Sequence, residues 1–409
     1  MPAISISGLT GASHGRESTT LTNTWQFADN FTWVKNRHSM KFGTDIRRLR
    51  TTDITSFTSG DDLGNYSFDG FFTGNAFADF LVGLPHNTNL SNTGKDVDGL
   101  THHYGFFAQD DFRVNQRLTL NFGIRYELHP MFFDRALTTS QFDRAYPGGR
   151  VIIANEEARK FTAPGFIASI GNTPILTAAQ VGLPETLRYT DFNNFTPRFG
   201  FAWKPFGERT VIRGGYGIYT ATILGSVFYT ITGIHVSDVR GFTNTSKTSP
   251  NVTLAAPFGG SGVAPVVGSA DFRRATQYDG ADPYSQQWNL TFERDLGLGT
   301  GFRITYTGNR TIKLFSSPDL NQVPANKVGY AIAKLSRPYP NWNIVYSRDP
   351  NTGAWYNAFT TEVNKRMSKG MKMVSPPVRA LHFNTKNFDG GLLHLDDLTD
   401  ENRDGDVQA

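Results

Sequence analysis

The chain has 409 residues, a formal net charge of +4, no cysteine, 41 glycines and 33 phenylalanines. Without cysteine, a disulfide framework and a thiolate-ligated metal centre are both excluded. The mild charge, with no basic run or basic helix, gives no footprint for nucleic acid. Hydrophobic residues make up only 38% while aromatics reach 13%, which suits many strands with polar loops and aromatic belts better than a packed α/β core. No run of about 18 apolar residues exists, so a membrane-spanning helix is excluded. Residues 1–20 lack the charged and apolar regions of a signal peptide. Either the protein stays in the cytosol or a leader precedes this sequence.

The first 20 residues read as an irregular segment. A strand follows in which Trp25, Phe27, Phe31 and Trp33 share one face, with Asp29 as the exception. After the turn Lys35-Asn36-Arg37, Met40, Phe42 and Ile46 share a face opposite Ser39, Lys41, Asp45 and Arg47. That is a hairpin. The second pair is 104–113 and 117–128, joined at Val114-Asn115-Gln116. Residues 117–128 alternate without a miss: Leu118, Leu120, Phe122, Ile124, Tyr126 and Leu128 against Arg117, Thr119, Asn121, Gly123, Arg125 and Glu127. Successive strand side chains point to opposite faces, so this segment has one greasy and one wet face. Crossing a membrane takes roughly 9–11 tilted residues, which this stretch supplies.

The third pair is 196–204 (Phe199, Phe201, Trp203 on one face) and 209–219 (Ile212, Tyr216, Ile218), turning at Pro205-Phe206-Gly207-Glu208. The fourth is 286–294 (Trp288, Leu290, Phe292) and 301–309 (Phe302, Ile304, Tyr306). A fifth begins at 354–366, with Phe359 and Val363 on one face, and after Met367-Ser368-Lys369-Gly370 only a stub of strand follows. Roughly 54, 67, 65 and 44 residues separate one pair from the next, against about 4–6 for ordinary loops. Short turns alternating with long loops are the pattern of outer-membrane barrels, with periplasmic turns and extracellular loops. From about Val374 the alternation stops, and residues 374–409 are acidic, with 3 Lys+Arg against 7 Asp+Glu.

The block Gly105-Phe106-Phe107-Ala108-Gln109-Asp110-Asp111-Phe112-Arg113, followed by 117–127, resembles the barrel hairpin of TonB-dependent outer-membrane transporters. Phe195-Thr196-Pro197-Arg198-Phe199-Gly200-Phe201-Ala202-Trp203, Arg213-Gly214-Gly215-Tyr216-Gly217-Ile218-Tyr219 and Pro283-Tyr284-Ser285-Gln286-Gln287-Trp288-Asn289-Leu290 narrow the likeness to the Oar-like branch. Tyr356-Asn357-Ala358 and the run from Lys365 to Gly370 are also similar. The resemblance spans about 20–373. It implies an all-β chain: an antiparallel transmembrane β-barrel, partial, with about 9–10 strands of a larger barrel of about 22 and long extracellular loops. It also implies residence in the Gram-negative outer membrane, contact with its lipid, a transport role for a bulky substrate, coupling to the TonB complex, and no enzymatic activity. The plug and the TonB-binding motif of such transporters are not found in this sequence. The expectation is therefore an internal fragment that does not transport by itself, with residues 374–409 unrelated to the barrel pattern. A self-contained porin- or adhesin-like small barrel and a secreted β-rich carbohydrate-binding protein are the alternatives.

Arg125, Glu127 and Arg213 lie on wet faces and are the candidates to line a lumen and meet a ligand, although alternation requires such residues anyway. Trp25, Trp33, Trp203 and Trp288 near strand ends suit an interfacial girdle better than a sugar site. Asp29 and Asp110 interrupt greasy faces, and a place near a strand end would make their charge cheap. His102-His103 is a tempting metal pair, but adjacent strand residues point apart. In the tail, Asp400, Asn402, Asp404 and Asp406, with Gly405, resemble the first half of a calcium loop. The glutamate expected at its twelfth position does not follow, and Ca²⁺ is the only cofactor the sequence suggests.

Overall fold

The computed structural model describes residues 3–12, 19–53, 64–93, 95–222, 224–258, 270–323, 336–368, 371–374 and 378–384. Its largest sheet has 13 strands, and nine of them form a wall in chain order. These are Thr20–Lys35 (β1), His38–Asp53 (β2), Val97–Asn115 (β3), Leu118–Leu128 (β4), Phe195–Trp203 (β5), Thr210–Thr220 (β6), Tyr284–Gly297 (β7), Thr300–Ser316 (β8) and Trp342–Ser368 (β9). Each pairs antiparallel with the next. The expected hairpins are all present. Met371–Val374 forms the expected stub, but Val378–Asn384, beyond the expected break, also pairs with β9. Among the described residues β1 pairs only with β2, so the sheet is open.

Turn chemistry fixes the short connections. Asn36 has φ +54°, in the left-handed region that Asn tolerates better than most residues. The β7–β8 turn uses Gly297 and Gly299 at φ +84° and +71° around Leu298 at +52°. These tight turns all lie at one end of the wall. The described parts of the long connections, 64–93, 129–194, 224–258 and 336–341 among them, lie at the other.

Alternation sorts the wall into two faces. Trp25, Phe31, Ile124 and Leu290 are 72%, 63%, 50% and 52% exposed, so nothing in the described chain packs over the apolar face. A secreted sandwich would bury these residues against a second sheet; here they are left for lipid. Trp33 and Trp203 lie near the turns, and Trp25 and Trp288 toward the other end. Trp25 and Trp33 are eight residues apart on β1, roughly 27 Å along a strand. A tilt of about 40° reduces that to roughly 20 Å, close to the apolar band between aromatic girdles. Glycines on this face admit neighbouring rings. A Cβ at Gly308 would lie 2.2 Å from the Trp288 indole, and one at Gly214 would lie 2.4 Å from the Phe201 ring.

The longest strands outrun the membrane. On β3 the alternate residues from Val97 to Gly105 are buried, and exposure begins at Phe106. On the outer part of β9, Trp342, Val345, Ser347 and Asp349 are also buried. The cover is the long connections, which the sequence suggested were plain loops. They fold. Ser140–Asp143, Arg150–Ile153 and Ile175–Thr177 make a small sheet. Its core unites Phe142, Val151, Ile153, Phe166, Phe272 and Val345 around Trp342. The Trp342 ring meets Phe142 edge-on at 5.2 Å and 82° and Phe272 at 5.7 Å. A second small sheet joins Ala3–Ile6, Asn65–Phe68, Asn87–Thr93 and Ser237–Thr243. Residues 3–6, expected to be irregular, are therefore a strand, paired in parallel with 65–68. The helix Leu224–Ile231 closes on β3 through Phe228, whose ring occupies the place of a Cβ at Gly99.

Two outcomes are expected for this cap. Trp342→Ala removes the hub of its core, at a cost of about 3–5 kcal/mol. Limited proteolysis should then cut within 129–194 and 336–341 while the wall stays protected. His235 is fully buried in the cap, and burial holds its imidazole down to about 4 from an ordinary 6.5. The unfolded chain takes up that proton near pH 6.5 and the folded cap only near 4. Cap stability is therefore full above the higher value and falls as pH drops toward the lower, by up to about 3 kcal/mol. His235→Leu should remove that part of the pH dependence of cap proteolysis.

Candidate functional site

The wet face of the wall carries the candidate residues, and the structure separates them. Arg125 and Glu127 are two apart on β4, on the same face, and touch: Arg125 Nε donates to Glu127 Oε1 at 2.8 Å. Arg125 fits because β3 offers Gly105 beneath its guanidinium; a Cβ there would lie 2.6 Å from Nη2. Asp45 on β2 receives Arg47 Nη2 at 2.6 Å and Nε at 3.1 Å, Gln26 Nε2 at 2.9 Å, and lies 3.9 Å from Arg125 Nη2. The Thr220 hydroxyl donates to Glu127 Oε2. One network thus runs from β1 to β6.

Arg213 belongs to another network, nearer the turns. Its Nη2 is 3.0 Å from Glu293 Oε2. Arg303 then joins Glu293 and Glu362, each at 3.0 Å. Every charge in this chain of four has an opposite neighbour, as bridging charges across adjacent strands require. Sequence reasoning found Arg125, Glu127 and Arg213, but not the partners Asp45, Glu293, Arg303 and Glu362. Alternation assigns a residue to a face, while the partner follows only from strand register.

Between the networks lie two transverse rows in which four of the ten residues are glycine. One reads Asp111, Asn121, Gly200, Gly215, Asn289 across β3 to β7, and the next reads Gln109, Gly123, Arg198, Gly217, Gln287. They line a shallow cavity of about 290 Å³. The Arg198 guanidinium lies 4.4 Å from the Tyr219 ring centre, and Asn121 Nδ2 donates to Asp111 Oδ1 at 2.6 Å.

At the mouth, His102 and His103 point apart, as expected for strand neighbours. His103 is buried and instead meets His129, with ring centres 4.9 Å apart. His129 Nδ1 is 3.0 Å from Asp282 Oδ2, which also accepts Asn194 Nδ2 at 3.0 Å. Among the described residues no group of three His, Cys, Asp or Glu has metal-holding geometry. The candidate calcium residues Asp400, Asn402, Asp404 and Asp406 lie outside the described residues.

On the apolar face, Asp110 and Asp29 lie deeper than expected. Asp29 sits midway between Trp25 and Trp33, in the middle of β1, which runs from Thr20 to Lys35. Asp110 is five residues from the end of β3 and is 2.6 Å from His38 Nδ1, whose ring stacks on Phe112 at 4.4 Å. The partner offsets part of the cost of a polar group at that depth.

Asp45→Asn removes the charge that faces Arg47 and Arg125. The expected result is a loss of about 1–3 kcal/mol, the cost of stranding a largely covered charged hydrogen bond. It should appear as a lower unfolding midpoint in detergent. Asp45→Glu should restore much of it.

A family model described as "Outer membrane beta barrel domain" matches residues 1–375. No curated protein matches the sequence. Among solved structures, the outer membrane transporter YddB from Escherichia coli is similar over 85% of this chain and 31% of its own, with 10% identity and a TM-score of 0.46. The siderophore receptor PirA from Acinetobacter baumannii is similar over 86% and 35%, with 10% identity and a TM-score of 0.40. The FrpB iron transporter from Neisseria meningitidis is similar over 85% and 34%, with 10% identity and a TM-score of 0.38. The chain thus spans about a third of the length of these structures. On the family match, covering 1–375 of its 409 residues, the chain belongs to the outer membrane β-barrel domain family.

Proposed function

We propose that this chain builds part of the wall of a TonB-dependent, Oar-like outer-membrane transporter, and that these residues do not move substrate by themselves. The observation that carries the reading is the two-faced antiparallel wall, with all its tight turns at one end and all its folded connections at the other. An exposed apolar face with aromatics at both margins suits lipid, and a polar opposite face suits a lumen. The wet face would line the path of a bulky substrate. In the complete assembly, energy would come from the inner membrane through TonB.

The open sheet supports the second half of the proposal. β1 presents a 16-residue edge with both faces exposed. In hydrocarbon each unpaired backbone group costs several kcal/mol, so such an edge calls for a further strand. A self-contained small barrel would instead join its first wall strand to its last. The residue blocks shared with the Oar-like branch, from 105–127 to 356–370, support the family-level part of the reading.

The test compares substitutions on the two faces of β4 in outer-membrane fractions, by the urea concentration that unfolds the chain. Ile124→Arg should cost about 2–4 kcal/mol, as a cation near the midplane does, and Thr119→Arg, on the lumenal face, should cost little. Equal effects would contradict the assignment of faces. A stable, ion-conducting pore formed by these residues alone would contradict the claim that they are an incomplete wall.

A further inference from the structure

The lumenal face holds its charges in two closed networks, and what lies between them is a different kind of surface. Gln109, Gln287 and Asn289 carry side-chain amides with no hydrogen-bond partner among the described residues, and they surround the cavity floored by Gly200, Gly215 and Gly217. Those glycines remove side-chain bulk where the strands are adjacent, so the wall recedes and a ring-shaped group can lie against it. A Cβ at Gly215 would stand 3.5 Å from the Phe199 carbonyl oxygen and 3.6 Å from Asn289 Nδ2. The site could therefore take a larger residue, and the backbone there does not require glycine.

We propose that this trough is a binding site for a neutral, hydroxyl-rich ligand, a segment of an oligosaccharide. The inference rests on the reading of the wet face as a lumen. Each free amide both donates and accepts, which matches a hydroxyl group that does the same. An anion would use only donors and would meet Asp111; a cation would use only acceptors and would meet Arg198. Arg198 and Asp111 balance each other in charge, and Arg198 is held against the Tyr219 ring at one end of the trough. Peptide recognition generally uses a free sheet edge or side-chain pockets. The trough lies mid-sheet with every strand paired on both sides, so it offers neither.

The experiment uses the full chain in lauryldimethylamine oxide, a detergent without a sugar head, with maltohexaose as the probe in isothermal titration. β-sheet circular dichroism is measured on the same preparations. The expected result is saturable binding at millimolar concentration or tighter. Gly215→Val and the double variant Gln287→Ala, Asn289→Ala should each weaken it by about tenfold or more, with the circular dichroism unchanged. A β-folded protein that shows no saturable binding overturns the inference and leaves the barrel-wall reading standing. Binding that survives both variants, or that trialanine or citrate displaces equally well, overturns it too, the last two in favour of a peptide or an anion. An unaltered chain without β-sheet circular dichroism overturns the wall reading, and the inference with it.

Discussion

Backbone hydrogen bonding in a medium without water is the constraint from which the rest of this structure follows. A strand that crosses hydrocarbon must have its N–H and C=O groups satisfied by neighbours. In this chain each wall strand meets that demand with the next in sequence, four times through a tight turn and four times across a long connection. Once the strands are locked side by side, period-two alternation divides the wall into an apolar face and a polar one. The apolar face is a matter of composition. The polar face is a matter of register, because bridges such as Arg213–Glu293–Arg303–Glu362 form only where particular residues stand opposite one another.

The same constraint explains the strand lengths. About 9–11 residues suffice to span the membrane, yet β3 has 19 and β9 has 27. The surplus stands beyond the apolar band and is wrapped by the folded connections. Trp342 begins β9 and is at once the hub of the cap core. Wall and cap are therefore continuous through single strands. The His103–His129–Asp282 cluster sits at that junction and ties β3 to the connections after β4 and β6.

Much of the wall was legible in the sequence because strict alternation over ten or more residues fits a two-faced strand and little else. The stripe from Leu118 to Leu128 placed Arg125 and Glu127 on one face correctly, and its turn fell within two residues of the structure. The partners of those residues were not legible, since Asp45 is 80 residues from Arg125 in sequence and meets it only through the placement of β3 between them. The folded cap was missed for a related reason. The run Val151-Ile152-Ile153 is too short to distinguish a strand from any buried segment, and its core residues come from four separate stretches of chain. Asp29 was expected near a strand end, but the strand runs from Thr20 to Lys35 and places it in the middle of β1.

The most direct test of the two-faced wall uses the absence of cysteine from the chain. Single cysteines placed in turn at each position from Leu118 to Leu128 can be spin-labelled in liposomes. Their collision rates with oxygen and with a water-soluble nickel chelate are then compared. Positions 118, 120, 122, 124, 126 and 128 should favour oxygen, and 119, 121, 123, 125 and 127 should favour the chelate, in a strict period of two. Equal access of the chelate to both sets, or a run of several oxygen-favouring positions in a row, would contradict a membrane wall with a lumenal face.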